Sequence, residues 1–407
     1  MLRATRSVGC CLLAVLVVTA ALRLDFRQPF VGYGLGGAWL LLLGGRLGTN
    51  RTIAACVAGT IIAAAVVIGH FDSIPTLLVQ GIGAFGLGSL LVLGCLVLWS
   101  GRAKEPGAYR VLLPAAVLTF LVLGAQYSLN MASLLRPRTF DLYSYVFDGA
   151  LGFQPSFLAG QLLKQYPALF PLVKVSYEAI VLAMAALYAG FMSRREKPVW
   201  ELIEVLFGAA MVGYLFFSVF PVCGPKYAFG GYFPGAYLPY DAMKRIALES
   251  IPVSPMFPRN GVPSLHMTWA LLIWLNTRSL PRAARAAALL LVLTTGFDTL
   301  ATGEHYLFDL VVALPFTLCM QASMVRTVEF KRRDRWLPVV CGGMMFLTWL
   351  VVGRFALPWM LASRWIVWIL VSASSVVSLV WACSLPALIP EMERPSQPSL
   401  KAFTAIA

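Results

Sequence analysis

Charge is what this chain has least of. Only 12% of its 407 residues are Asp, Glu, Lys or Arg, while 59% are hydrophobic. Soluble globular domains carry about a quarter charged residues, so a soluble fold is excluded as the starting class, and a polytopic membrane protein takes its place. Cysteine is present eight times but never as CxxC or at metal-ligand spacing. Seven cysteines lie in or beside apolar segments and only Cys223 falls in a long loop. That excludes a disulfide framework and a zinc site, and neither a metal nor another cofactor is expected. Acidic residues are outnumbered 18 to 32, for a net charge of +14. The basic excess sits in short loops beside apolar runs, which is a topogenic pattern and not a nucleic-acid surface. No internal repeat of the kind that marks many transporters is visible.

What the chain does have is apolar runs long enough to cross a bilayer, which takes roughly 20 residues each. Lipid offers the backbone no partners, so these runs must be helices. The expected fold is all-α, a polytopic bundle of about twelve spans. They fall near 8–22, 29–45, 52–70, 78–99, 112–129, 171–192, 200–220, 262–277, 284–300, 305–325, 336–353 and 364–385. The first run, after Arg3 and Arg6, fits either a signal peptide or a short first span. With the N-terminus inside, the clusters Arg46/Arg51, Arg102/Lys104/Arg110, Arg194/Arg195/Lys197, Arg278/Arg282/Arg285 and Arg326 to Arg335 all fall on the cytoplasmic side, as the positive-inside rule requires. Arg23 and Arg27 are the minority against it. Two long segments, about 130–170 and 221–262, are then external, and their many aromatics suit the headgroup layer. The expected division is accessory helices over 1–105, a catalytic six-helix core over 106–327, accessory helices over 328–386 and a Pro-rich tail over 387–407.

There are only three histidines. His70 ends the third run and reads as interfacial. His266 and His305 stand at the mouths of two spans that open on the same side. Asp309 follows His305 by four residues, the spacing of one helical turn. A carboxylate there can take one ring N–H and leave the other nitrogen free to attack. An aspartate this deep in an apolar segment is costly unless paired, and His305 is its natural partner. The stretch Asn260-Gly261-Val262-Pro263-Ser264-Leu265-His266 reads as a loop entering a helix, with Pro263 in the first turn. The free N–H groups and the Ser264 hydroxyl at that terminus suit an anion. Arg259 and Lys226 are the nearby cations able to neutralise a phosphate. Lys174 and Glu178 read first as an intrahelical ion pair and second as a cavity wall. Asp298 reads as a cap or as a partner for Lys226 or Arg259. Asp141 and Asp148 read as organisers of the external loop.

The elements Pro263-Ser264-Leu265-His266 and Gly303-Glu304-His305-Tyr306-Leu307-Phe308-Asp309 resemble the type 2 phosphatidic acid phosphatase superfamily. Their Ser-Leu-His and Gly-x-His-Tyr-x-x-Asp forms, with Pro221 to Tyr227 upstream, are most similar to its inositol phosphorylceramide synthase branch. The resemblance covers roughly residues 110–325. It implies a six-helix core and a phosphohistidine intermediate without metal. Carried over by motif, His305 is the nucleophile, Asp309 its orienter and His266 the acid for the leaving oxygen. Thr299 stands where the phosphatases place an arginine, and Arg136-Pro137 lacks their upstream lysine, departures that favour the synthase-like branch.

The expected protein is therefore a lipid phosphotransferase or phosphatase working at the extracytoplasmic face of a cell membrane, a bacterial inner membrane in the first instance. Its substrates are membrane lipids, with Lys226, Arg259 and Ser264 as the substrate-binding set. Hydrolysis of phosphatidic acid or a polyprenyl diphosphate is the alternative, and a lipid transporter or scramblase with a vestigial site is the alternative of another class. The sequence names neither the lipid nor any protein partner.

Overall fold

A computed structural model of the chain describes residues 29–70, 74–101, 104, 106–193, 200–278, 280–325 and 332–385. The apolar run at 8–22, the basic cluster at 194–197 and the Pro-rich tail lie outside them. The architecture is all-α. The helices are α1 (Pro29–Gly44), α2 (Thr49–His70), α3 (Ile74–Ser100), α4 (Pro106–Leu135), α5 (Asp141–Ala150), α6 (Pro155–Gln165), α7 (Phe170–Glu178) and α8 (Ile180–Met192). They continue with α9 (Trp200–Val219), α10 (Leu265–Asn276), α11 (Arg282–Ala301), α12 (Leu307–Met324), α13 (Arg332–Val351) and α14 (Arg364–Ser384). A two-residue ladder pairs Arg138–Thr139 with Ile251–Pro252 and ties the two external segments together.

Eight of the described helices are long and apolar enough to cross a membrane, or up to nine if the bent pair α7–α8 counts as one span. Twelve spans are not confirmed among the described residues, and the first expected run lies outside them. The described part of α1 is 16 residues, and α10, at 12 residues, is short for a bilayer. At 1.5 Å per residue, α10 reaches about 18 Å, well under the hydrocarbon thickness. The 171–192 run breaks at Ala179 with a 55° bend. The external segment 130–170 is not merely a headgroup layer. It folds into α5 and α6, and α5 is buried on nearly every side, Tyr143, Val146, Phe147 and Ala150 included.

One continuous apolar cluster runs from Val31 to Val367, so the terminal helices pack directly on the middle of the chain. The C-terminal helices dock on α5 and α12. Trp349 lies edge-on to Phe147, which is itself edge-on to Phe308 of α12. After α13 the chain passes through a π-helical turn, Val352–Ala356. This turn sets the Arg354 guanidinium 4.4 Å from the ring centres of both Phe140 and Tyr143, a cation–π arrangement. Gly353 of the same turn sits against the Phe308 ring, with no room for a side chain between them.

At the other end of the chain α2 and α3 cross through glycine. A Cβ on Gly88 would lie 2.8 Å from the Ala55 carbonyl oxygen and from the Gly59 Cα. Helices in lipid associate by such close backbone approach between small residues. Gly88→Val is therefore expected to force α2 from α3 and lower the thermal midpoint of the purified protein in detergent by several degrees. An unchanged midpoint would show that this crossing carries no stability.

Candidate active site

His305 lies just before α12, with Tyr306 as the N-cap and Asp309 in the first turn. The expected helical i,i+4 pairing is thus made differently. The carboxylate in the first turn reaches back past the helix start. Asp309 Oδ2 stands 3.1 Å from His305 Nδ1 and also accepts the Tyr306 N–H at 3.0 Å. Both side chains are wholly buried. This carboxylate fixes Nδ1 as the protonated nitrogen and leaves Nε2 as the basic one.

Ser264 is the N-cap of α10, its hydroxyl accepting the Met267 N–H at 3.4 Å. The same hydroxyl lies 3.3 Å from His305 Nε2, and the Ser264 N–H reaches the Asp309 carbonyl at 3.3 Å. Two helix starts are thereby joined at the histidine. Pro263 lies ahead of the cap and not in the first turn, as α10 begins at Leu265. The first N–H groups of a helix have no internal partner and favour an anion.

The main chain of His305 is held as firmly as its ring. Its N–H donates to the Thr299 carbonyl at 3.0 Å, so the residue at the arginine position contributes through its backbone. Its carbonyl accepts the Ser156 hydroxyl of α6 at 2.9 Å.

His266 sits in the first turn of α10. Its ring stacks on Tyr177 with centroids 3.7 Å apart and planes 16° from parallel, and its Nε2 has no hydrogen-bond partner. It lines an apolar cavity of about 250 Å³ with Phe30, Leu129, Tyr214 and Trp269. His305 lines neither this cavity nor the larger, polar one of about 630 Å³. Tyr177 and Glu178 belong to both cavities and form the wall between them.

The two cations named from sequence separate. Lys226 is half exposed, lines the polar cavity and pairs with Glu304 at 3.2 Å. Glu304 also receives the Tyr227 hydroxyl at 3.2 Å. Arg259 is not placed as a phosphate clamp. It is fully buried, and its guanidinium donates to the carbonyls of Arg136, Ser254, Phe257 and Val253 at 2.7–3.2 Å. Four of its five N–H donors are thus spent on folding the external loop. Nor does Asp298 hold Lys226 or Arg259; it is 1% exposed and its Oδ1 has no partner. Lys174 and Glu178 form the expected intrahelical pair at 3.5 Å and line the polar cavity as well. Among the described residues, no cluster of three or more His, Cys, Asp or Glu could hold a metal ion.

Two buried carboxylates do more than loop order. Asp148 of α5 accepts the N–H groups of Leu307 and Phe308 at 2.9 and 3.0 Å, capping α12 from a distant segment. Burial pushes its carboxyl well above the ordinary range, against the pull of those two N–H donors. Asp141 accepts the N–H groups of Cys223 and Gly224 and the Cys223 thiol. Burial raises its carboxyl, and burial with the neighbouring Asp141 charge pushes the thiol up. Gly224 has φ +93°, and a Cβ there would overlap the Glu304 carbonyl. Only glycine lets the Pro221–Tyr227 loop lie against the chain entering His305.

Arg259→Lys, which keeps the charge but loses the planar fork, is expected to cost about 3 kcal/mol or more of stability. The protein that remains folded is expected to keep its apparent KM for a phospholipid. A raised KM with an unchanged thermal midpoint would assign Arg259 to substrate instead.

Residues 144–323 match the family model of the PAP2 superfamily. No curated protein and no solved structure matches the chain.

Proposed function

We propose, on the match of residues 144–323 to the PAP2 superfamily model, that this chain is a phosphoric ester hydrolase or phosphotransferase of the type 2 phosphatidic acid phosphatase kind, with His305 as its phosphoryl-accepting nucleophile. The observation that carries the proposal is the buried relay Asp309–His305–Ser264, with 3.1 Å and 3.3 Å contacts on the two ring nitrogens. A transporter with a vestigial site is not favoured, since residues 144–323 match the PAP2 superfamily model.

The reaction follows from the relay. The lipid phosphate enters at the starts of α10 and α12 and displaces the Ser264 hydroxyl from His305 Nε2. The lone pair on Nε2 attacks phosphorus while the bond to the leaving oxygen breaks. Asp309 stabilises the positive charge that develops on the ring. His266 gives its proton to the leaving oxygen and then takes one from the acceptor, whose oxygen displaces His305 and restores the free enzyme. Phosphoryl transfer of this kind depends on positioning more than on covalent chemistry by many groups.

The acceptor is an alcohol, so the enzyme moves a phosphorylated headgroup between lipids as the inositol phosphorylceramide synthase branch does. Two observations support transfer over hydrolysis: the Ser-Leu-His and Gly-x-His-Tyr-x-x-Asp forms, and a nucleophile fully buried from solvent. Excluding water protects a reactive intermediate from hydrolysis. The positive-inside reading of the basic loops favours the extracytoplasmic side for this mouth. The expected acceptor-dependent product distinguishes the two outcomes, since water as acceptor yields free phosphate or phosphorylated headgroup.

His305→Ala is expected to lower turnover of headgroup-labelled phospholipids in reconstituted vesicles by about 10³-fold or more. Asp309→Asn, which keeps shape but removes the charge, is expected to lower it by about 10²–10⁴-fold. Both variants are to be checked for a wild-type elution profile in detergent. Turnover retained by folded His305→Ala would refute the nucleophile.

A further inference from the structure

Two arginines at the end of the bundle that carries His305 are spent on nothing in the chain. Arg354 lies in the π-helical turn near the end of the apolar run Trp336–Met360, and Arg364 opens the next run, Arg364–Ser384. Gly353 touches Phe308, in the helix that follows His305, and the Arg364 side chain lies against Gly152, just past α5. The Arg354 guanidinium carbon is 4.4 Å from the ring centres of Phe140 and Tyr143, and that of Arg364 is 5.5 Å from the ring centre of Trp365. A ring takes the flat face of a guanidinium and leaves its N–H edge free to donate. Among the described residues neither arginine makes an ion pair or a side-chain hydrogen bond. Other cations at this end are engaged: Arg259 with four carbonyls, Lys226 with Glu304 and Lys174 with Glu178. Arg354 is partly buried and Arg364 exposed, so both can be reached from outside the protein. A cation in the last turns of an apolar span is costly without a counter-charge.

We propose that Arg354 and Arg364 bind the headgroup of an anionic phospholipid from the leaflet at that end of the bundle, at a site separate from the reaction centre. Neither arginine lines either cavity near the histidines, and the site does not rest on the phosphoryl-transfer reading. Phe355, Trp359 and Trp365 stand beside the two arginines in the chain and are 73%, 79% and 65% exposed. Aromatics so placed at the ends of spans mark the headgroup layer, which sets the guanidinium groups at the depth of lipid phosphates. The N–H edge of a guanidinium matches two phosphate oxygens at once. A zwitterionic headgroup would also bring a cation, and no carboxylate of the described residues lies within ion-pair distance of either arginine to receive it. Two uncompensated positive charges therefore select a headgroup of net negative charge. The bound lipid rests on both ends of α5, through Phe140 and Tyr143 at its start and Gly152 past its end. Because Asp148 of α5 caps α12, such a lipid braces from behind the helix that carries Asp309.

The test is thermal unfolding of the purified full chain in a neutral detergent, with added phosphatidylglycerol or phosphatidylcholine of the same chain length, or inorganic phosphate. A ligand that binds the folded state alone raises the midpoint. Phosphatidylglycerol is expected to raise that of the wild type about 3 °C or more above phosphatidylcholine. In the double variant Arg354→Gln/Arg364→Gln the difference between the two lipids is expected to fall to about 1 °C or less. Each protein is compared with its own lipid-free midpoint, so a loss of packing in the variant does not enter the difference. Equal shifts with the two lipids in the wild type overturn the proposal, as does a full difference in the folded double variant. A rise with inorganic phosphate equal to that with phosphatidylglycerol overturns the lipid as occupant. If the double variant does not fold, Arg364→Gln alone is measured. It is expected to lose about half of the difference, and a full difference there overturns the paired site.

Discussion

The site depends on a carboxylate that cannot be left alone. Asp309 is wholly buried one turn into a membrane helix, where an unpaired charge is not tolerated. It meets this constraint by drawing the His305 ring and the Tyr306 N–H onto one oxygen. That pairing fixes the ring, fixes its tautomer and aims the other nitrogen at Ser264. The remaining contacts around His305 preserve this alignment. Ser156 and Thr299 hold the histidine's main chain, and Asp148 caps the helix that carries Asp309. The geometry is over-determined, as a preorganised reacting group must be.

Carboxylates recur as the organising device throughout this external face. Asp141, Asp148 and Asp309 are each fully buried, and each gathers backbone N–H groups from a different segment. Asp141 draws in the Pro221–Tyr227 loop, and Gly224 lets that loop touch the chain at Glu304. The result is a close joint, made largely of main chain, between that loop and the chain entering His305. Arg259 performs the complementary task for the other external segment, collecting four carbonyls. In a bundle where lipid satisfies nothing, buried charges of both signs serve as hubs for loose backbone.

The parts of this arrangement that were legible in the sequence are those encoded over short range. His305 and Asp309 are four residues apart, Ser264 and His266 two, and the apolar runs mark most helices within a few residues. The contact of Ser264 with His305 was within reach once two helix mouths had been placed at one level. Long-range partners were not legible. Asp148 caps Leu307 across 159 positions, and no spacing encodes that. Arg259 looked like a phosphate ligand because its charge was visible and its four carbonyl partners were not. The missed helix α5 did carry a signal in Tyr143, Val146, Phe147 and Ala150, but its many aromatics also fitted a segment lying at the headgroups. The short helix α10 was counted as a span because hydropathy reports composition and not where the helix ends.

The π-helical turn after α13 bears on how such a protein can be cut and joined. Gly353 fills the space over Phe308, next to Asp309, while Arg354 covers Phe140 and Tyr143. The last two helices are thus a lid on the aromatic back of the reaction centre, welded by one extra residue per turn. A shortened chain ending before α13 would present Phe147 and Phe308 to lipid, and a homologous core transplanted between different flanking helices would need a matching back surface. Modular exchange within this architecture is therefore limited by the rear of α12, where Phe308 meets Phe147 and Trp349.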